Sequence, residues 1–214
     1  MEYALFLLKC ATGIFVIINP FGILGIVLSL IAHVEPDDRA RTLSTASTAS
    51  FLLLVVFALG GQVIMQIFQI SLGALRIAAG LFLFSMSISM LYGTQPRAEL
   101  NDADRREADE KDDIAITPLG IPIITGPGCI ATVMSLNASA PDIASRVLVF
   151  VAILIAVTAS HLVLRSGQNI LKFMGRNGLR VMTRLMGLLV AVMASQMVIN
   201  GLYDAFPVLA GVDG

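Results

Sequence analysis

Six stretches of this chain are apolar for long enough to cross a membrane, and that leaves little choice of architecture. A spanning helix needs about 20 mostly apolar residues. The windows 3–31, 43–68, 72–91, 114–136, 147–164 and 179–202 meet or nearly meet that length, only the fifth being short. Runs such as Phe51-Leu52-Leu53-Leu54-Val55-Val56-Phe57 are apolar at every position, which excludes the alternating pattern of an outer-membrane barrel strand. The expected fold class is therefore all-α, a polytopic membrane protein of six transmembrane helices. Composition agrees, with 57% hydrophobic and 14% charged residues and a mean hydropathy of +0.86, whereas soluble domains carry about a quarter charged residues. The longest polar stretch, 94–113, is too short for a core of its own, which places all function in the membrane.

Two of the windows are interrupted. Asn19-Pro20-Phe21-Gly22 breaks the first, and Thr125-Gly126-Pro127-Gly128, preceded by Pro118 and Pro122, breaks the fourth. Proline removes a backbone donor and glycine weakens a helix, so each run leaves polar backbone groups unpaired where water is scarce. Lipid tolerates that only beside protein or a water-filled cavity. Paired interruptions in corresponding segments of two halves point to the binding site of a carrier. At each break a helix end presents carbonyls to a cation and a helix start presents N–H groups to an anion. Two crossing breaks can thus hold a zwitterion at the midplane, and a small amino acid fits. The candidate substrate-binding residues are Asn19, Pro20, Phe21, Gly22, Thr125, Gly126, Pro127 and Gly128. The alternative is that both breaks are kinks satisfied by neighbouring helices.

Residues 94–113 divide the chain. On either side stand three segments, 1–93 and 114–214, each opening with an interrupted one. The third carries Arg76, Gly80, Ser85 and Ser89, and the sixth carries Arg184, Gly187 and Ser195, a loose match. An odd number of spans per unit means that two such repeats are inverted, a known transporter design. Small residues at helical spacing, such as Ala46 with Ser50, let helices approach closely. The divider holds Glu99, Asp102, Asp104, Glu107, Asp109, Glu110, Asp112 and Asp113 and reads as a solvated acidic linker.

Basic residues sort by side. The first, third and fifth connections carry Arg39, Arg41, Arg97, Arg105, Arg106, Lys111, Arg165, Lys172, Arg176 and Arg180, with Arg184 just inside the sixth segment, against Lys9, Arg76 and Arg146 on the other side. The basic side faces the cytoplasm, so both termini are expected on the non-cytoplasmic side of an inner membrane. The first segment starts with Glu2 and lacks a small-x-small cleavage site, so it reads as retained. Cys10 and Cys129 read as free, and the isolated His33 and His161 form no metal-ligand spacing. No cofactor, metal or nucleic-acid partner is expected.

No Asp or Glu falls inside the six windows, whereas proton-driven carriers place a carboxylate or histidine in the membrane. His161 alone has a suitable titration range and reads as structural. Carbonyls and hydroxyls at the breaks suit Na⁺, and uncoupled passage stays open. Arg76 and Arg184 lie near segment ends, where they either bind a substrate carboxylate or snorkel to the interface. A membrane enzyme is disfavoured, since the spans hold no carboxylate pair and no Gly-x-Ser-x-Gly elbow.

Asn19-Pro20-Phe21-Gly22, together with Thr117-Pro118-Leu119-Gly120-Ile121-Pro122-Ile123-Ile124-Thr125-Gly126-Pro127-Gly128, resembles the paired signatures of the MarC family. These are six-span bacterial and archaeal inner-membrane proteins also classed as small neutral amino acid transporters. The resemblance covers essentially the whole chain. Three residues after Gly22, where many members have proline, this chain has Gly25, which also permits a break. The resemblance implies transport or export of glycine, alanine and similar amino acids. The competing readings are a non-transporting membrane scaffold or partner protein, and a small-molecule (drug) exporter.

Overall fold

The computed structural model describes residues 1–32, 34–93 and 124–206. The acidic linker 94–113, the first half of the fourth window with Thr117, Pro118 and Pro122, and His33 lie outside the described residues. Within them the chain forms seven helices and no strand: α1 (Glu2–Ile18), α2 (Pro20–Ile31), α3 (Arg39–Ile67), α4 (Leu72–Tyr92), α5 (Pro127–Ala138), α6 (Ile143–Arg165) and α7 (Gly167–Ala205). Four of these, α3, α4, α6 and α7, are long and apolar enough to span a membrane. α1 and α2 pass the same test together but are bent by 43°, as a broken span or a re-entrant loop.

Two expectations on element length change. The fifth window is not a short span, because α6 runs for 23 residues. Asp142 starts it early by accepting the Ser145 N–H at 2.7 Å, and that backbone hydrogen bond holds the Asp142 carboxyl below the usual carboxylate range. The cap therefore persists until the pH falls through that lowered value. The sixth window belongs to a longer element: α7 contains Gly175 at φ 67, ψ 177, so two helices meet there, the second covering 176–205. Only glycine enters that backbone region without strain.

Beside an apolar core that includes Ile14, Leu24, Leu54 and Ile153, the outer faces of the long helices are apolar too. On α3 the buried face is Leu43, Ala46, Ser47, Ser50, Leu54, Ala58 and Gly61, while Leu52, Val56, Leu59, Val63 and Ile67 are exposed at helical spacing. Large apolar side chains therefore face the hydrocarbon, and small or hydroxylated ones face neighbouring helices.

α4 and α7 form the closest pair. A Cβ at Gly73 would meet the Gly201 carbonyl at 2.8 Å, and one at Gly80 would meet the Ala194 carbonyl at 2.7 Å. One at Gly187 would meet the Met90 Cβ at 2.9 Å and the Ser87 carbonyl at 3.4 Å. These contacts step by seven residues along both helices in opposite directions, so the pair is antiparallel with backbones nearly touching. At one end Arg76 pairs with Asp204 at 2.5 Å and donates through Nε to Ser135 Oγ at 3.0 Å. The Tyr3 hydroxyl donates to Asp142 at 3.3 Å. The starts of α1, α4 and α6 and the ends of α5 and α7 thus gather at one end of the bundle, the end poor in Lys and Arg.

Because the obstacles at Gly80 are backbone and a branched side chain, Gly80→Ala is expected to destabilise the protein by about 1–3 kcal/mol. Thermal unfolding in detergent measures this, and an unchanged midpoint would show that the helices separate without cost.

Candidate functional site

Every residue of Asn19-Pro20-Phe21-Gly22 has a local task. Asn19 takes the left-handed conformation, φ 54 and ψ 58, which asparagine tolerates better than most residues. Its N–H closes α1 on the Phe15 carbonyl at 3.0 Å, and its side chain opens α2 by accepting the Gly22 N–H at 3.2 Å. Pro20 occupies the first position of α2, where a missing donor costs nothing. The Phe21 ring meets Phe15 edge-on, with centroids 6.5 Å apart at 82°. Gly22 makes room, since a Cβ there would fall 2.1 Å from Asn19 Nδ2.

The second break repeats the plan with one omission. Pro127 again opens a half-helix, α5, which is 12 residues long like α2. The carbonyl of the residue before the proline accepts from the third and fourth residues on: Gly22 and Ile23 to Asn19 O at 3.0 and 3.2 Å, Cys129 and Ile130 to Gly126 O at 2.9 and 3.3 Å. Gly126 has no side chain, so α5 starts without a side-chain cap. Thr125 beside it is 1% exposed.

Both breaks rest on α4, at different levels. Asn19 Nδ2 donates to Met90 Sδ at 3.1 Å, near the end of α4. A Cβ at Gly128 would lie 2.3 Å from Leu83 Cδ2, midway along it. Seven helical residues separate these supports by about 10 Å. A cavity of about 580 Å³ opens against the first break, walled by Phe21, Gly22, Gly25, Met90 and Arg184 among others.

Three polar pairings escaped the sequence reading. Arg76, one of two arginines at segment ends, joins α4, α5 and α7 through Ser135 and Asp204; its partner Asp204 lies just past the last apolar window. Asn137 Nδ2 donates to the Ala58 carbonyl at 2.7 Å, crossing from α5 to α3. Its Oδ1, like the buried Ser160 hydroxyl, has no partner among the described residues. His161 places Nδ1 2.9 Å from Ser47 Oγ on a cavity of about 230 Å³ between α3 and α6, also lined by Ser44, Thr48 and Thr158. Ser47 donates its only proton to the Leu43 carbonyl at 2.8 Å. With that proton on Leu43 the Ser47 oxygen accepts from His161 Nδ1–H, whereas the other tautomer has Ser47 donating to a bare Nδ1. The hydroxyls at 44, 47 and 48 could have been matched to His161 only by knowing that the second and fifth segments adjoin.

Two outcomes follow from this geometry. Asn19→Gly keeps the left-handed turn and loses the cap, whereas Asn19→Ala loses both. Thermal unfolding should place the alanine variant about 1 kcal/mol or more below the glycine variant; the reverse order would remove the left-handed cap from the explanation. Nitrogen-15 spectra of labelled histidine should show the neutral His161 ring protonated on Nδ1, with Ser47→Ala relaxing that preference. A ring protonated on Nε2 in the wild type would mean that Ser47 donates to His161 rather than to Leu43.

Comparison with known proteins adds a family. The chain is 36% identical over 194 residues to the UPF0056 membrane protein MJ1677 of Methanocaldococcus jannaschii, covering 91% of this chain and 94% of that one. It is 36% identical over 205 residues to the UPF0056 membrane protein YvbG of Bacillus subtilis, covering 95% and 97%. Against the UPF0056 membrane protein YhcE of Escherichia coli it is 27% identical over 199 residues, covering 93% of each. No solved structure matches. The broken helices, the apolar spans and a family match running over residues 4–206 converge: the chain belongs to the MarC family of integral membrane proteins.

Proposed function

We propose that this protein is an inner-membrane secondary transporter or exporter of small neutral amino acids such as glycine and alanine, which bind between the two breaks. The observation that carries the reading is the pair of matched half-helices, α2 and α5, each 12 residues long with proline at its first turn. The repeated seven-residue steps of the antiparallel α4–α7 contact support two inverted three-helix repeats as the frame, with the basic connections on the cytoplasmic side. In this reading the substrate carboxylate meets the uncapped start of α5 at Gly126–Gly128. Asn19 contributes its amide, which now donates to the Met90 thioether, a weak acceptor that a carboxylate oxygen readily replaces. The carbonyls at the end of α1 suit the ammonium group, and Thr125 flanks the second break. The His161 imidazole, beside Ser47, supplies a group for proton coupling where the spans hold no carboxylate; Na⁺ coupling through backbone carbonyls is the other route.

Liposomes containing the purified protein should take up labelled glycine or alanine faster than empty ones. Gly128→Val should abolish the difference by driving a side chain into Leu83, and adding Leu83→Ala should restore part of it. Absence of flux across a broad amino-acid panel, in folded protein, would end this reading.

A further inference from the structure

The cavity against the first break has a wall that transport of a neutral solute does not require. Arg176, Arg180 and Arg184 all line it, one helical turn apart on the same face of α7. Among the described residues the one ion pair is Arg76 with Asp204, so no described carboxylate neutralises the three guanidinium groups. Arg184 has a partial structural reason to be there. A side chain at Gly93 would meet its guanidinium at 3.8 Å, which puts that charge near the C-terminal end of α4, where a cation is favoured. Arg176 and Arg180 have the opposite setting. The helix 176–205 begins directly after Gly175, so these arginines stand in the first turns of a long helix, where the backbone already carries partial positive charge.

Two more features point to a ligand. Thr183, on the same face, is only 9% exposed and lines the cavity, which brings a hydroxyl donor beside the guanidinium groups. The remaining wall is largely apolar, with Phe21, Met90, Tyr92 and Leu179. A volume of about 580 Å³ exceeds what a bare ion needs.

We infer that this cavity binds a phosphate group, held by Arg176, Arg180 and Arg184 with the Thr183 hydroxyl as a further donor. Guanidinium forks match phosphate oxygens in pairs, and the apolar wall accommodates whatever carries the phosphate. Two sources share this chemistry, the headgroup of an anionic phospholipid and a soluble phosphate. The site does not depend on which solute crosses at the breaks.

Purified full-length protein would be placed in nanodiscs of neutral phosphatidylcholine and titrated with inorganic phosphate at constant ionic strength, against chloride, following thermal unfolding. In parallel, nanodiscs with increasing phosphatidylglycerol would be compared, with retained lipid counted by native mass spectrometry. Stabilisation by either source is expected, weakened about ten-fold in affinity by Arg180→Gln. Arg180→Lys should recover only part of it, because lysine lacks the fork. Arg146→Gln, on the opposite side of the bundle, should leave it unchanged. A response to inorganic phosphate identifies a soluble ligand, and a response to phosphatidylglycerol alone identifies a lipid. The proposal is overturned if neither source stabilises the wild type beyond chloride, or if Arg180→Gln and the triple Arg176→Gln, Arg180→Gln, Arg184→Gln variant respond as the wild type does.

Discussion

Hydrocarbon cannot hydrogen-bond a backbone, so a helix inside a membrane can stop only where the protein itself takes up the ends. The structure meets that requirement at Asn19 with one residue. Its left-handed backbone ends α1, its side chain starts α2, and its amide leans on Met90 of α4. The second break has no such residue, and its start rests on the Gly126 carbonyl and on close packing of Gly128 against Leu83. The two interruptions are alike in plan and unlike in completeness.

The distribution of side chains follows from the same solvent. With lipid outside, apolar burial gives no reason for helices to associate, and contact comes from small residues and internal hydrogen bonds. Gly73, Gly80, Gly187 and Gly201 bring α4 and α7 together. Ser47 with His161, Asn137 with Ala58, and Arg76 with Ser135 and Asp204 link the remaining helices. Leucines, valines and isoleucines, which would form the core of a soluble protein, largely line the outside of α3, α6 and α7.

Four of the spans, the bend between α1 and α2 and the proline-led start of α5 were legible because each is written locally, in apolar length and in Pro/Gly punctuation. The family signature was legible for the same reason. What the chain did not disclose were pairings between distant segments. Arg76 reads from sequence as a snorkelling side chain, and only the placement of α7 gives it Asp204. His161 reads as isolated, and only the packing of α3 on α6 gives it Ser47. The arginines at 176, 180 and 184 look like ordinary charge at the start of the sixth window, because nothing local reveals that Gly175 restarts a helix there or that a cavity lies beneath. The expectation of a short fifth span failed for a local reason: hydropathy ends at the last apolar residue, while Asp142 extends the helix through polar ones.

The glycine contact between α4 and α7 has a mechanical consequence. Where two helices touch through side chains, rotamer changes let them slide or splay by small steps. Where backbone carbonyls lie against Gly73, Gly80 and Gly201, the glycines themselves have no side chain to give way. This pair is therefore a stiff spine, and the two short helices lean on it, α2 against α7 and α5 against α4, while α1 packs mainly on α6. Since Met90 and Leu83 are both on the spine, a tilt of either half-helix is registered against the same fixed ruler.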